Sequence, residues 1–361
     1  MGRCLAAGLM LGLAVSTAAQ TEVSEFRPGV TLEGVNYFLP KTRLRMVIVA
    51  DKAVTIPGEF AQYANRYLRL TDVPAVETTE WNIRSVAIQA LGTPDSTKAF
   101  SIKVKSKTSA PLVSLTHDGL LLGVNTSVQP DDDMELPERV PAPKPLNGRD
   151  FMTQGILSAG STAKMAQLTA EEIYDIRESR NALIRGEADN TPKDGAQLKL
   201  MLDNIDRQLA ALESLFKGQT LTSQEVLTLD YEPVVDDLRG HHLLVGRFSK
   251  RLGLVDADDL SGEPLLLDIE AVGNLPASIP DEDTERKKAK MEQGLRVNQP
   301  ALAKVTLSLA KRQLVTAELP VCQFGTVEVL SDILFNKKME TRVVMYQHTG
   351  SVKQIRGEAD E

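Results

Sequence analysis

The chain has 361 residues, 42% of them hydrophobic and 25% charged, with a formal net charge of −8 and one tryptophan. That length exceeds one ordinary core and allows two. An acidic chain with no Lys/Arg stripe interleaved with aromatics is a poor nucleic-acid binder, and it lacks the polybasic cluster of an anionic-membrane binder.

Met1 to Ala19 reads as a secretory signal peptide. Arg3 forms the positive n-region, Leu5 to Val15 the apolar h-region, and Thr17-Ala18-Ala19 the cleavage site, leaving Gln20 first. The apolar run is shorter than a membrane span and no later run reaches that length, so no transmembrane segment is expected. Cys4 precedes the apolar core, the wrong side for a lipoprotein anchor. Cys322 is then the one cysteine of the mature chain, which cannot form an internal disulfide. It sits in a strand-like phrase, Val321-Cys322-Gln323-Phe324, as a small buried hydrophobe with nothing nearby to activate a thiol.

Residues 26–125 read as an N-terminal α+β domain. Val35 to Leu39 and Arg43 to Ala50 look like strands, β-branched and partly alternating. Pro57-Gly58 opens a helix through Leu70, with Phe60, Tyr63, Ala64, Tyr67 and Leu68 on one face. Asn82 to Leu91 and Ala99 to Val104 alternate as strands, and Asp118-Gly119 between apolar runs signals a hairpin.

The composition then changes. Residues 126–150 hold Pro130, Pro137, Pro141, Pro143 and Pro145, the acids Asp131 to Asp133, and no apolar period. Such a segment buries too little to offset ordering, and the expectation is an extended, mobile linker. The acidic triplet reads as a solvated run, because calcium sites space their ligands around a loop.

Residues 167–218 are expected to form an antiparallel helical hairpin. Thr169 with Glu172 resembles a capping box, Ile173, Ile176, Ala182, Leu183 and Ile184 form a stripe, and Gly186 ends the first helix. The second helix starts near Pro192 or Asp194 and ends at Gly218. Leu198, Met201, Leu202, Ile205, Leu209, Leu212, Leu215 and Phe216 fall on one face, expected to be buried.

Residues 223–356 read as a C-terminal β-sandwich-like domain. About eight short strands run from Val226 to Ile355, and the charged stretch Asp281 to Gln293 is expected to be exposed. The fold class is therefore α+β: a mainly-β N-terminal domain with one helix, the hairpin, and a β-sandwich-like domain. Thr116-His117-Asp118-Gly119 and Gln347-His348-Thr349-Gly350 both sit between strands, and duplication stays an open question.

Four phrases resemble one family: G-V-N-Y-F-L-P-K-T-R-L from Gly34, P-G-E-F-A-Q-Y-A-N-R-Y-L from Pro57, R-E-S-R-N-A-L-I-R-G-E-A-D-N-T-P-K-D-G from Arg177, and Q-F-G-T-V from Gln323. The chain resembles an exported, uncharacterised Bacteroidetes family, a domain of unknown function. The resemblance covers nearly the whole mature chain. It implies a Gram-negative envelope setting and no activity or site residues.

The chemistry-bearing motifs point the same way. A Gly-rich phosphate loop, zinc spacing, G-x-S-x-G elbow and H-E-x-x-H are all missing. His241-His242 are adjacent, and neighbours in a strand face opposite ways, so they do not share a metal simply. His117 and His348 fall in turns. Asp189, Asn190 and Asp194 could hold a cation, but capping and turn formation explain the same residues. Asp95-Ser96-Thr97 is a short O-glycosylation-like phrase loose enough to arise by chance. No catalytic, cofactor-binding or metal-binding residue is assigned, and no cofactor is expected. Two readings stay open: a non-catalytic envelope component whose partner is an envelope protein or glycan, and a periplasmic hydrolase using carboxylates. Missing motifs and few aromatics favour the first.

Overall fold

Two very long strands organise the molecule. β2 (Val35–Ile56) has 22 residues and β3 (Thr78–Lys103) has 26, and they pair antiparallel from Val35↔Ile102 to Thr55↔Thr78. The computed structural model describes residues 22–25, 34–103, 113–132, 135–188, 192, 194–239, 242–273, 275, 294–330 and 339–359. The expected exposed stretch Asp281 to Gln293 lies outside them. Each pair of short strands expected from 35–50 and 82–104 is one continuous strand, because the intervening residues stay paired across bulges instead of turning. The two strands expected at Gln313 to Leu319 and Thr326 to Leu330 are likewise one, β11 (Arg312–Leu330), and the strand expected from Ala301 begins earlier, as β10 (Leu295–Leu309).

The chain is mixed and mostly β, with antiparallel sheets and four α-helices among the described residues. The first sheet has the order β1-β3-β2-β6, with β1 at Glu22–Glu25 and β6 at Gln219–Tyr231. The second is β11-β10-β9-β7-β8, with β7 at Leu243–Ser249, β8 at Gly253–Val255 and β9 at Glu263–Ala271. The third is β13-β12-β5-β4, with β4 at Val113–Leu115, β5 at Leu121–Val124, β12 at Met339–Met345 and β13 at Val352–Ala359. Strands from both ends of the chain share two of these sheets: β6 pairs with β2, and β12 with β5. The N-terminal and C-terminal β regions are therefore interleaved instead of lying in separate sheets. Local periodicity carries no information about which distant edge a strand will find.

Two β cores stack along the long strands. Leu44, Met46, Ile48 and Ala50 alternate onto one face of β2 and meet Leu265, Leu267, Ile269, Val305, Leu307 and Phe324 of the second sheet. Further along the same strands, Tyr37, Leu39, Phe100, Ile102, Leu295 and Val297 meet Leu121, Val124, Val343 and Met345 of the third sheet. The changeover falls at bulges between Phe38 and Pro40 and between Gln299 and Ala301. There a band of polar groups ties the strands together. Gln323 accepts from Thr42 N and donates to Thr42 O, Cys322 N donates to Thr42 Oγ1, and Asn298 donates to Pro40 O and Thr349 O.

The helical hairpin forms a third layer. α3 (Thr162–Arg185) begins seven residues before the expected capping box, with Ser161 as its cap. Thr169 is buried mid-helix and its hydroxyl donates back to Met165 O, four residues earlier, so it competes with no helix start. α4 (Gly195–Lys217) is capped by Asp194 and ends at Gly218, and Gly186 ends α3 with φ +70°, as expected. Phe60, Ala64 and Leu68 pack against Ala166, Ala170, Ile173, Leu212 and Phe216. The helix expected from Pro57 to Leu70 is shorter, a 3-10 turn at Ala61–Tyr63 followed by α1 (Ala64–Leu68), and Arg69 stops it in a left-handed conformation. The short α2 (Gln154–Leu157) contributes Ile156. The α4 stripe is buried only toward its C-terminal end. Leu212 and Phe216 are fully enclosed, Ile205 and Leu198 are half-buried, and Met201 is exposed.

The Pro-rich segment runs along the free edge of β6. Val140 and Gln224 exchange both backbone hydrogen bonds (3.1 and 2.7 Å), Arg139 pairs with Glu225, and the Gln219 amide grips Leu146 N and O. The segment expected as a mobile linker is tied to the sheet as an edge cover. Its prolines have no N–H with which to build a longer ladder.

Candidate functional site

Among the described residues, those with chemistry in the sequence do not converge. Cys322 is buried, its thiol pushed up by desolvation against weaker lowering from Thr42, and its Sγ lies 3.4 Å from Thr349 O. It is a packed core residue. His242 adopts φ +64° and contacts Asp268 through both its backbone N–H and Nδ1, while His241 lies outside the described residues. His117 and His348 occupy turns on separate hairpins. Asp194 caps α4, and Asp189 and Asn190 lie outside the described residues. Asp131 and Asp132 are exposed, and Asp133 is not described. Asp95 accepts from both the backbone N–H and the hydroxyl of Thr97 in a bulge of β3. Among the described residues no group of three or more His, Cys, Asp or Glu could hold a metal ion.

Several carboxylates titrate below their usual range, each beside a cation. Arg180 holds Asp206 down by hydrogen bonding, and Arg45 does the same to Asp230. Burial pushes Glu213 and Glu225 up, but hydrogen bonds outweigh it: Lys217 and Arg177 at Glu213, Arg139 and Ser223 at Glu225. These acids are structural anchors, committed to ion pairs.

A depression lies at the end of the first core, around Trp81. A groove of about 710 Å³ is lined by the continuous stretch Val76 to Asn82 at the start of β3 and by Lys250 and Arg251 on the turn between β7 and β8. A smaller hollow of about 360 Å³ adjoins it, sharing Trp81, Asn82 and Lys250 and reaching Phe248, Glu263, Leu309 and Arg312. Trp81 N donates to Lys250 O at 2.7 Å, which locks the end of β3 to the turn. Ser249 Oγ accepts from Arg251 N and Leu252 N and shapes that turn.

The Trp81 ring is not a free stacking platform. Gly253, at φ +81°, is pressed against it: a β-carbon there would lie 3.1–3.3 Å from three ring atoms. The Lys52 ammonium sits 5.4 Å from the ring centroid, in cation–π range. With its ring packed in this way, Trp81 closes the end of the core and forms one wall of the groove. The charges along the two lips differ in sign: Glu77 and Glu80 lie on the β3 side, Lys250 and Arg251 on the turn opposite.

Sequence reasoning singled out none of these residues. One signal was present, the chain's single tryptophan at the head of an alternating strand beside two acids. The basic lip is about 170 positions away in sequence, and pattern alone does not bring it there.

The sequence model of one family, described as a domain of unknown function (DUF4831), matches residues 33–353. No curated protein and no solved structure matches the chain.

Proposed function

The chain belongs to the DUF4831 family, and on that footing we propose that it is a non-catalytic interaction or structural module of a Gram-negative cell envelope, exported to the periplasm or the outer surface. The three-part signal sequence at Met1 to Ala19 supports export, and the family resemblance supports a Bacteroidetes source. No helix among the described residues is long and apolar enough to cross a membrane.

The observation that carries this reading is the composition of the Trp81 groove. It is lined by the start of β3 and by charges of both signs, a composition suited to holding an extended partner. Hydrolysis by paired carboxylates needs an acid held protonated beside an ionised one. Among the described residues, Asp206, Glu213, Glu225 and Asp230 are instead held ionised by cations, and Asp259 by hydrogen bonds from Ser261. No specific observation favours the hydrolase alternative.

The test is site-specific cross-linking in the native host. A photoreactive residue replacing Val76 should give a discrete adduct with an envelope protein or glycan, lost when Arg251→Glu is added. N-terminal sequencing of the mature chain should begin at Gln20. Turnover of peptide or glycosidic substrates by the purified chain, or a mature chain starting at Met1, would overturn the corresponding part of the reading.

A further inference from the structure

Antiparallel pairing gives the start of β3 a definite edge chemistry. In such a ladder, residues alternate between those whose N–H and C=O face the partner strand and those whose groups face away. Trp81 N points away from β2, since it donates to Lys250 O. Thr79, two residues earlier and still paired with Val54, therefore also turns its N–H and C=O outward. The strand that flanks β3 on this side, β1, pairs with Phe100 to Lys103 at the far end. Among the described residues, no strand covers the outward groups of Thr79, and the groove lies against them.

The charges around that edge are unspent. Glu77, Glu80, Lys250 and Arg251 make no ion pair among the described residues. Their placement follows the pleat. Trp81 and Ile83 turn toward the first core, so Glu80 faces the other side of the sheet. Lys250 and Arg251 lie on the core side, on the turn that meets Trp81. A strand added beside Thr79 would present alternate side chains to these two environments. The ones facing inward meet two cations, and the ones facing outward meet Glu80.

We propose that the Trp81 groove binds an extended peptide segment by strand addition to the β3 edge at Thr79, selecting acidic side chains on the inward face of the peptide and basic ones on the outward face. The proposal rests on the interaction-module reading and names the partner chemistry of that site. The addition is short, because Lys250 O already occupies Trp81 N and ends the free edge there. Among the described residues, Thr79 N–H and C=O and Trp81 C=O are the main-chain groups left for it, with Val76 exposed beside them as an apolar contact. A saccharide is the weaker fit, because Gly253 and Lys52 already engage the Trp81 ring.

The single tryptophan makes the test direct, since intrinsic indole fluorescence of the full chain reports this groove alone. Two neutral eight-residue peptides serve as probes, one with Glu and Lys strictly alternating and one with four Glu followed by four Lys. The alternating peptide should shift Trp81 emission saturably and bind about tenfold more tightly than the block peptide. Thr79→Pro removes an outward N–H while sparing the β2 ladder, so the sheet should persist by circular dichroism and binding should be lost. Arg251→Glu, which leaves the backbone edge intact, should weaken the alternating peptide about tenfold.

Equal binding of both peptides that survives Thr79→Pro would reduce the site to nonspecific charge and overturn the proposal. So would the absence of any shift with either peptide, or saturable binding of tetragalacturonate instead. A concentration-dependent emission change without peptide would also overturn it. Sedimentation would then show self-association, with a second copy of the chain in the groove. In each of these outcomes the Val76 cross-link can still appear, leaving the module reading intact. Cleavage of a probe peptide, read by mass spectrometry, would instead sink that reading.

Discussion

Gly119 and Gly350 hold equivalent places in the two halves of the molecule. Each closes the turn of a short hairpin with positive φ, +89° and +66°. Each offers its carbonyl to the N–H of a long bulged strand: Phe38 N reaches Gly119 O at 2.9 Å, and Asn298 N reaches Gly350 O at 3.0 Å. In both strands the bulge adjoins a proline, Pro40 or Pro300. The arrangement of long hairpin, bulge, proline and docked turn therefore occurs twice. That is the physical content behind the similar phrases T-H-D-G and Q-H-T-G.

The two glycines should nonetheless differ in tolerance. A β-carbon on Gly350 would sit 2.5 Å from Pro40 Cδ, in a rigid ring, whereas on Gly119 it would sit 3.0 Å from the half-buried ring of Phe38. Gly350→Ala is expected to cost about 1–3 kcal/mol, with Gly119→Ala at the low end of that range. Denaturant unfolding of the two variants measures the contrast.

Burial along α4 sets a second expectation. Leu212 is fully enclosed, so Leu212→Ala should cost about 2–5 kcal/mol through transfer and cavity terms. Half-buried Ile205 should lose clearly less on truncation, and exposed Lys199→Ala should change stability by less than about 0.5 kcal/mol. If Leu212 and Lys199 gave equal, small effects, the hairpin would not be packed on the body.

Acid should loosen the helical layer through Glu213. Its carboxylate receives Arg177 of α3 at 2.7 Å and Lys217 of α4 at 2.8 Å. Burial pushes the folded value up, the hydrogen bonds from Lys217 and Arg177 more than reverse that, and the net value lies below 4.5. A depressed folded value contributes stability that is fully present above the unfolded value and lost as pH falls through the folded one. Stability should therefore decline as pH drops below about 4.5, and Glu213→Gln should flatten that part of the profile. An unchanged slope in the variant would assign the acid sensitivity to other groups.

The segment along β6 should be the first protease target. Residues 135–147 are exposed throughout, and one β-bridge at Val140 and the Gln219 amide at Leu146 hold their backbone to the sheet. Val140→Pro deletes the N–H that reaches Gln224 O and should accelerate cleavage there without a comparable loss of global stability. Initial cuts inside β2 or β10 would show that the edge cover is more firmly held than its bonding indicates.

How much of this was legible beforehand depends on the range of the interaction involved. Gly186, Asp194, Gly218 and the Asp118-Gly119 turn were readable, because caps and turns are decided within a few residues of backbone. The alternation of Leu44, Met46, Ile48 and Ala50 announced a half-buried strand for the same local reason. Continuity was less visible. Bulges at Pro40 and Pro300 look like breaks in a pattern, although they are the points where one strand passes from one core to the next.

By itself the sequence determined the mostly-β character, the paired helices, the exposed Pro-rich stretch and the absence of familiar catalytic motifs. The tertiary structure alone decided that β6 completes the sheet begun by β2, that Gln323 reaches Thr42 across 281 positions, and that Lys250 and Arg251 line one groove with Glu77, Glu80 and Trp81. Those pairings depend on shape and edge complementarity between remote segments. Backbone hydrogen bonding supplies the attraction without encoding the partner, so no local pattern in the chain spells it out.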